Sequence, residues 1–110
     1  MSPSCPVASA AMTTDVLDVP ARSRYEVTVA GELAGFAAYE QVEGARVFTH
    51  TEVYDAYEGK GVGGTLARGA LDDVRAHGRL IHPFCPYVRS WIAKHPEYRE
   101  LVDDPERFHL

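Results

Sequence analysis

The stretch Tyr57-Glu58-Gly59-Lys60-Gly61-Val62-Gly63-Gly64-Thr65-Leu66 stands between two segments of different hydrophobic period. Upstream of it apolar residues alternate as in a strand; downstream they recur at three and four as in a helix. Four of its ten residues are glycine. A glycine-rich turn at a strand-to-helix junction aims several backbone N–H groups at one spot. The positive end of the helix dipole adds to that spot, so the segment reads as an anion cradle. Gly61 and Gly63, at alternate positions, let a phosphate come close to the backbone. The pyrophosphate of a coenzyme is the anion this register suggests. The Gly-Lys-Ser/Thr ending of a Walker A loop is missing. An antiparallel meander precedes the loop, which sets it apart from a dinucleotide-binding fingerprint.

The meander is read from its period. Residues 25–29 form a strand in which Tyr25, Val27 and Val29 alternate with Glu26 and Thr28. Ala30-Gly31 is a tight turn. Residues 32–41 form a second strand, with Leu33, Ala37 and Tyr39 on one face and Ala34, Phe36 and Ala38 on the other. Apolar residues on both faces predict a strand covered on both sides. After Glu43-Gly44, residues 45–54 form a third strand, sending Val47, Thr49, Thr51 and Val53 one way and Phe48, His50, Glu52 and Tyr54 the other. Past the loop, Val62, Leu66, Ala70 and Val74 repeat at four, with Ala67 and Leu71 widening the stripe of an amphipathic helix. Arg68 and Asp72 are spaced as an i,i+4 pair on its outer side, and Gly78 stops it. Residues 80–84 are a short fourth strand, parallel to the third because a helix intervenes. Pro86 opens a last helix, on which Val88, Trp91, Ile92 and His95 share a face, and Pro96 ends it. Tyr98, Leu101 and Val102 close over the core, and residues 103–110 are a polar end.

This gives an α+β protein: a disordered tail over residues 1–20 and a single domain over residues 21–110. One small core is all that 110 residues can build. Eleven basic against sixteen acidic residues, a net charge of −5, argue against nucleic acid or an anionic membrane as the partner. No apolar run reaches bilayer length. The start lacks the pattern of a secretion signal. Cys5 and Cys85 are too few for a disulfide framework or a thiolate zinc site, and read as free thiols of a cytoplasmic protein.

Several side chains carry potential chemistry. Cys85 precedes Pro86 at a predicted helix N-terminus, where the dipole favours thiolate; a small buried hydrophobe is the other reading. His50 and Glu52, two apart on a strand, point the same way and suit proton transfer or a solvated pair. His82 alternates with Leu80 and Phe84 as a structural residue would, His95 caps or packs beside Trp91, and His77 sits at a helix C-terminus. His50, His82 and Cys85 lack ligand spacing, so no metal site is expected.

Glu58-Gly59-Lys60-Gly61-Val62-Gly63 resembles the acetyl-CoA signature of the GNAT superfamily of N-acetyltransferases, Gln/Arg-x-x-Gly-x-Gly/Ala. The resemblance runs from about Tyr25 to Leu101 and includes the order of elements. His50-Thr51-Glu52-Val53, Cys85-Pro86-Tyr87-Val88 and His95-Pro96-Glu97-Tyr98 resemble a subfamily of very small single-domain GNAT-like proteins. The resemblance implies a minimal GNAT fold, with acetyl-CoA as donor and an amine or protein amino group as acceptor. It implies that the backbone of Gly59, Lys60, Gly61, Val62, Gly63 and Gly64 holds the pyrophosphate, with Glu58 and Thr65 also among the coenzyme-binding residues. Val53, Tyr54 and Tyr87 would then flank the pantetheine arm in a splay between the third and fourth strands. Glu52 or His50 is implied as the base for direct transfer, and Cys85 as acetyl carrier in a ping-pong route. Tyr87 and Tyr98 are candidate acids for the departing thiolate, or packed rings with bonded hydroxyls. Two departures stand out. Glu58 occupies the first signature position, and the helical pair that follows the first strand in a typical GNAT enzyme is missing. The acceptor side is therefore expected to be open, or completed by another chain, in a monomer or weak homodimer. A non-catalytic acetyl-CoA-binding module and a ligand-free interaction domain are the other functional readings.

Overall fold

The structure, a computed structural model, describes residues 13–110. One sheet of five strands runs in chain order: β1 (Thr14–Val19), β2 (Arg24–Val29), β3 (Glu32–Val42), β4 (Ala45–Val53) and β5 (Leu80–Pro83). The first four are antiparallel neighbours, and β5 is parallel to β4. Two helices, α1 (Val62–Ala76) and α2 (Pro86–Lys94), pack on one face. The fold is α+β and GNAT-like, with one strand more than the expected three-stranded meander.

The added strand is β1, which the sequence reading placed in the tail. It pairs along its length with β2. Asp18 turns inward, where its carboxylate accepts from the Tyr39 hydroxyl and, at 3.1 Å, from the buried Arg46 guanidinium. On the same face, two residues before Asp18, Val16 meets α1: a Cβ at Gly69 would stand 2.7 Å from Val16 Cβ, so α1 lies directly against β1. Residues 1–12 of the expected tail, with Cys5, lie outside the described residues. A single 3-10 turn at Pro20–Arg22 joins β1 to β2, where a typical GNAT enzyme carries its helical pair.

Two bulges reset the expected faces. Ala34 is the extra residue where β3 meets β2, and Thr49 is the extra residue where β4 meets β3. Ala34, Ala37, Tyr39 and Phe48 therefore all enter the core, while Phe36, His50 and Glu52 stay outside. The expectation that β3 is covered on both sides is not met. Both helices lie on one face, and on the other Phe36 meets Arg24, 4.5 Å above its ring, with His50 and Tyr54 beside it.

The Thr49 bulge has a second consequence. β5 pairs with β4 only from Ala45 to Phe48 and ends at Pro83, which has no N–H to continue the ladder. The last bond across the pair runs from the Cys85 amide to the Phe48 carbonyl, 2.9 Å. A bulge bends its strand, so beyond Phe48 β4 leaves β5 and its edge is unpaired.

α1 buries the stripe read from the sequence: Val62, Leu66, Ala67, Ala70, Leu71 and Val74. It closes on a Schellman motif, with Gly78 left-handed, its amide on the Arg75 carbonyl and the Arg79 amide on the Val74 carbonyl. Pro86 is the first residue of α2, and the helix gives way to a 3-10 turn at Pro96–Leu101. Tyr98, Leu101 and Val102 are buried as expected. The expected polar end is not wholly polar, because Phe108 is buried against Phe84 and His82.

Candidate active site

The loop between β4 and α1 has the properties its glycines suggested. Gly59 and Gly61 take φ of 78° and 75°, a region costly for any side chain. Gly61 is the N-cap of α1, so no side chain caps the helix. Among the described residues no backbone carbonyl accepts from the amides of residues 59–64. Helix N-termini are usually capped by Ser, Thr, Asp or Asn. Here the first-turn donors are left for something else.

These amides border a cleft of about 410 Å³. Its walls are Glu58, Gly59, Gly61, Val62, Gly63 and Gly64 from the loop, Thr51 and Val53 from β4, Tyr57, and Tyr87 from α2. Thr51 and Val53 belong to the part of β4 that β5 does not reach. Glu52 turns its carbonyl toward Gly35 of β3, so Thr51 and Val53, alternate to it, turn their amide groups to the free edge. The cleft therefore joins an anion-binding helix end to an edge able to form sheet-like hydrogen bonds. This is the donor set that a pyrophosphate linked to an amide-bearing arm requires, so the residues fit coenzyme A.

Of the expected coenzyme contacts, Val53, Glu58, Gly59, Gly61, Val62, Gly63, Gly64 and Tyr87 line this cleft. Lys60 and Tyr54 do not. Lys60 is at the exposed loop tip, and the Tyr54 ring packs against Phe36 on the open face. Thr65 bonds back to the Gly61 carbonyl at 3.1 Å and lines a neighbouring cleft instead. Thr51 and Tyr57 were not anticipated. Thr51 was legible as sharing a strand face with Val53, but Pro83 marks the end of β5 only once its register with Phe48 is known.

The expected catalytic residues fall on two sides of β4. Cys85, 2% exposed, lies on the helix side at the N-cap of α2. Its thiol donates to Thr51 Oγ1 at 3.3 Å. His50 and Glu52 lie on the open face, where His50 Nε2 is 3.3 Å from Glu52 Oε1 and the side chains are 61% and 51% exposed. Tyr87 stands beside the splay, its hydroxyl against Gly63. Burial, and secondarily the neighbouring Cys85, raise its pKa, so the phenol keeps its proton throughout the neutral range.

His82, His77 and His95 each have a partner away from the first cleft. His82 pairs with Asp103 at 3.2 Å, His77 Nδ1 meets the Asp73 carbonyl at the end of α1, and His95 stacks on Trp91 at 3.9 Å. Tyr98 bonds Asp72 and Arg68 away from the splay. The expected direct Arg68–Asp72 pair is replaced by this relay through Tyr98. No helix among the described residues is long and apolar enough to cross a membrane.

A family model described as GCN5-related N-acetyl-transferase matches residues 24–101. The chain belongs to this family of GNAT N-acetyltransferases. It is similar to Protein NATD1 of Gallus gallus and of Mus musculus, 40% identical over 60 residues that cover 53% of this chain and 54% of theirs. Protein NATD1 of Homo sapiens shows the same identity over 52% of its length. The chain thus matches these curated relatives over about half their length.

Proposed function

We propose that the chain moves an acetyl group from acetyl-CoA to a primary amine, either a small amine or a protein amino group. The observation that carries this is the row of unpartnered amides at residues 59–64 opening onto the unpaired edge of β4. Acetyl-CoA, when bound, supplies an acetyl group activated as a thioester.

The chain's own residues then have distinct tasks. Residues 59–64 hold the pyrophosphate, and Thr51 and Val53 orient the arm through their backbone groups. An amine reaching the slot from the open face meets Glu52 and His50. Glu52, paired with His50, takes the ammonium proton, directly or through water. The amine nitrogen bonds to the carbonyl carbon, the C–S bond breaks, Tyr87 gives a proton to the departing thiolate, and the proton that the new amide nitrogen sheds returns to Tyr87 through water.

Cys85, at the N-cap of α2 and next to Thr51 of the cleft wall, offers a second route. Cys85 Sγ would attack the carbonyl carbon, displacing the coenzyme thiolate, which takes the cysteine proton. The amine then attacks the acetyl-cysteine, and its proton returns to Sγ. Mass spectrometry after incubation with acetyl-CoA separates the routes. An acetyl adduct on Cys85 and loss of transfer in Cys85→Ala support the covalent route; full transfer by Cys85→Ala supports direct attack.

Release of free thiol from acetyl-CoA across a panel of amines and lysine peptides tests the proposal as a whole. Amine-dependent release that falls in Glu52→Gln supports it. Binding of CoA without turnover against any acceptor would leave a non-catalytic binding module.

A further inference from the structure

The cleft does not end at the glycine loop. Across the first turn of α1 a second cleft of about 270 Å³ is lined by Gly61, Gly64, Thr65, Arg68, Trp91 and His95. Gly61 and Gly64 line both clefts, so the two meet around the helix N-terminus. Tyr87 borders the first, and Trp91 and His95, one and two turns further along the same face of α2, border the second. A ligand with its pyrophosphate at the loop and its arm in the splay beside Tyr87 has its remaining end on this side.

Two donors in the second cleft lack the partners such groups normally have. Arg68 is exposed, sits over the Trp91 ring at 5.4 Å and donates from Nη1 to the Tyr98 hydroxyl at 3.1 Å. Among the described residues no carboxylate lies within ion-pair distance of its guanidinium. Trp91 is only 8% exposed. Its Nε1 has no acceptor among the described residues and lies 3.6 Å from where a Cβ on Gly64 would stand, which aims it at the wall the two clefts share. No buried side-chain nitrogen or oxygen among the described residues lacks a partner, so Nε1 is the edge of an otherwise buried indole that reaches the cleft, open to a ligand oxygen in place of water. A guanidinium without a carboxylate and an indole N–H without a protein acceptor, on one cleft next to unpartnered helix amides, match a ligand with several anionic oxygens.

We propose that this cleft holds the 3′-phosphorylated ribose of coenzyme A, with Arg68 and the Trp91 indole N–H on the 3′-phosphate. It makes the chain selective for CoA over 3′-dephospho-CoA. The proposal rests on the coenzyme reading above and adds to it which end of the coenzyme is read, and by which side chains.

Calorimetric titration of the full chain with CoA and with 3′-dephospho-CoA tests it, in wild type, Arg68→Gln and Trp91→Phe. Wild type should prefer CoA by about tenfold or more at low salt, with the preference shrinking as salt is raised. Each variant should lose affinity for CoA while keeping its affinity for dephospho-CoA, so that the ratio falls toward one. That ratio is unaffected by a uniform loss of stability, and Trp91→Phe removes the N–H while keeping an aromatic ring at the position. Equal affinity of wild type for both coenzymes overturns the proposal, as does an equal loss for both in Arg68→Gln; either result leaves the coenzyme reading standing. Failure of wild type to bind either coenzyme overturns both.

Discussion

Replacing Gly63 by alanine should stabilise the free protein and weaken the coenzyme complex. Gly63 lies in the first turn of α1 and is not among the residues with positive φ, so alanine suits its backbone. The change should add roughly 0.5–1 kcal/mol, because glycine is the poorer helix former and the more flexible residue when unfolded. The new Cβ would stand 3.0 Å from Tyr87 Cζ, closer still to its hydroxyl, and 3.4 Å from Val53 Cγ2. Tyr87 is 42% exposed and can swing toward solvent. For a domain of this size the free protein should melt about 2–6 °C higher. The methyl group, however, stands where the loop faces the splay. With CoA at a hundredfold its wild-type dissociation constant, wild type gains about 2.7 kcal/mol; a variant that binds tenfold more weakly gains about 1.4 kcal/mol. The order of stability therefore reverses: the variant melts above wild type without CoA and below it with CoA. Paired thermal melts measure this directly. Equal CoA-induced shifts in the two proteins would refute the placement of the coenzyme. A fall of several degrees in the free variant would refute the view that Tyr87 yields.

The other predictions concern the frame of the site. Ala30 and Gly31 take φ of 54° and 84°, the pair of positive values a type I′ turn needs, so Ala30→Asn should stabilise by about 1 kcal/mol in thermal melts; an unchanged or lower melting point counts against this. Asp18→Ala leaves the Arg46 guanidinium, whose side chain is 6% exposed, without its carboxylate. With Asp18 itself 24% exposed, the loss should be near the low end for a broken buried pair, about 3 kcal/mol in urea unfolding. A loss below about 1 kcal/mol would mean that the ladder alone holds β1. Burial, and then the bond to Asp18, push the Tyr39 hydroxyl up to about 12, and burial with the bond to Asp73 raises Tyr25 further still. An unfolded phenol ionises near about 10. The stability these groups lend is therefore complete below that pH and is lost as pH rises from there to about 12, because the unfolded chain ionises first. Tyrosinate absorbance should appear together with unfolding and be reduced in Tyr39→Phe; gradual ionisation of every tyrosine near pH 10 in a folded chain would contradict it.

How far the sequence foretold this structure depends on where each residue's partner lies. The stripe of α1 and its glycine stop were readable because their determinants lie within one turn of each other. So were the loop and the start of α2, which Gly61 and Pro86 mark locally. β1 was not. Its inward face mixes Val16 with Asp18 while the apolar Leu17 is 66% exposed, so no alternation of apolar and polar residues is visible, and the residues that receive Asp18 are Tyr39 and Arg46, distant in the chain. Gly69 was a visible anomaly in the middle of a helix. The contact that requires it is with Val16, in a segment without a readable period. The bulges at Ala34 and Thr49 were equally silent, and they decide which faces of β3 and β4 enter the core. Pro83 did mark where the β5 ladder stops, but its meaning needed the register with Phe48.

That register bears on the proposed chemistry. β4 presents Thr51, with Cys85, on its helix side, and His50 and Glu52 on its open side. The bulge and Pro83 leave the edge between those sides unpaired, so the slot opens to both faces of the sheet. A donor held from the helix side and an acceptor arriving from the open side need not share one cavity. With both helices on one face and only a 3-10 turn joining β1 to β2, no helix walls the open side among the described residues. Glu52 and His50 are more than half exposed there. A small amine at that position would keep water on most sides and gain little binding energy, since small-molecule sites depend on enclosure. An amine carried on a larger surface brings its own contact area to the sheet face, and the arrangement of β4 suits that acceptor better.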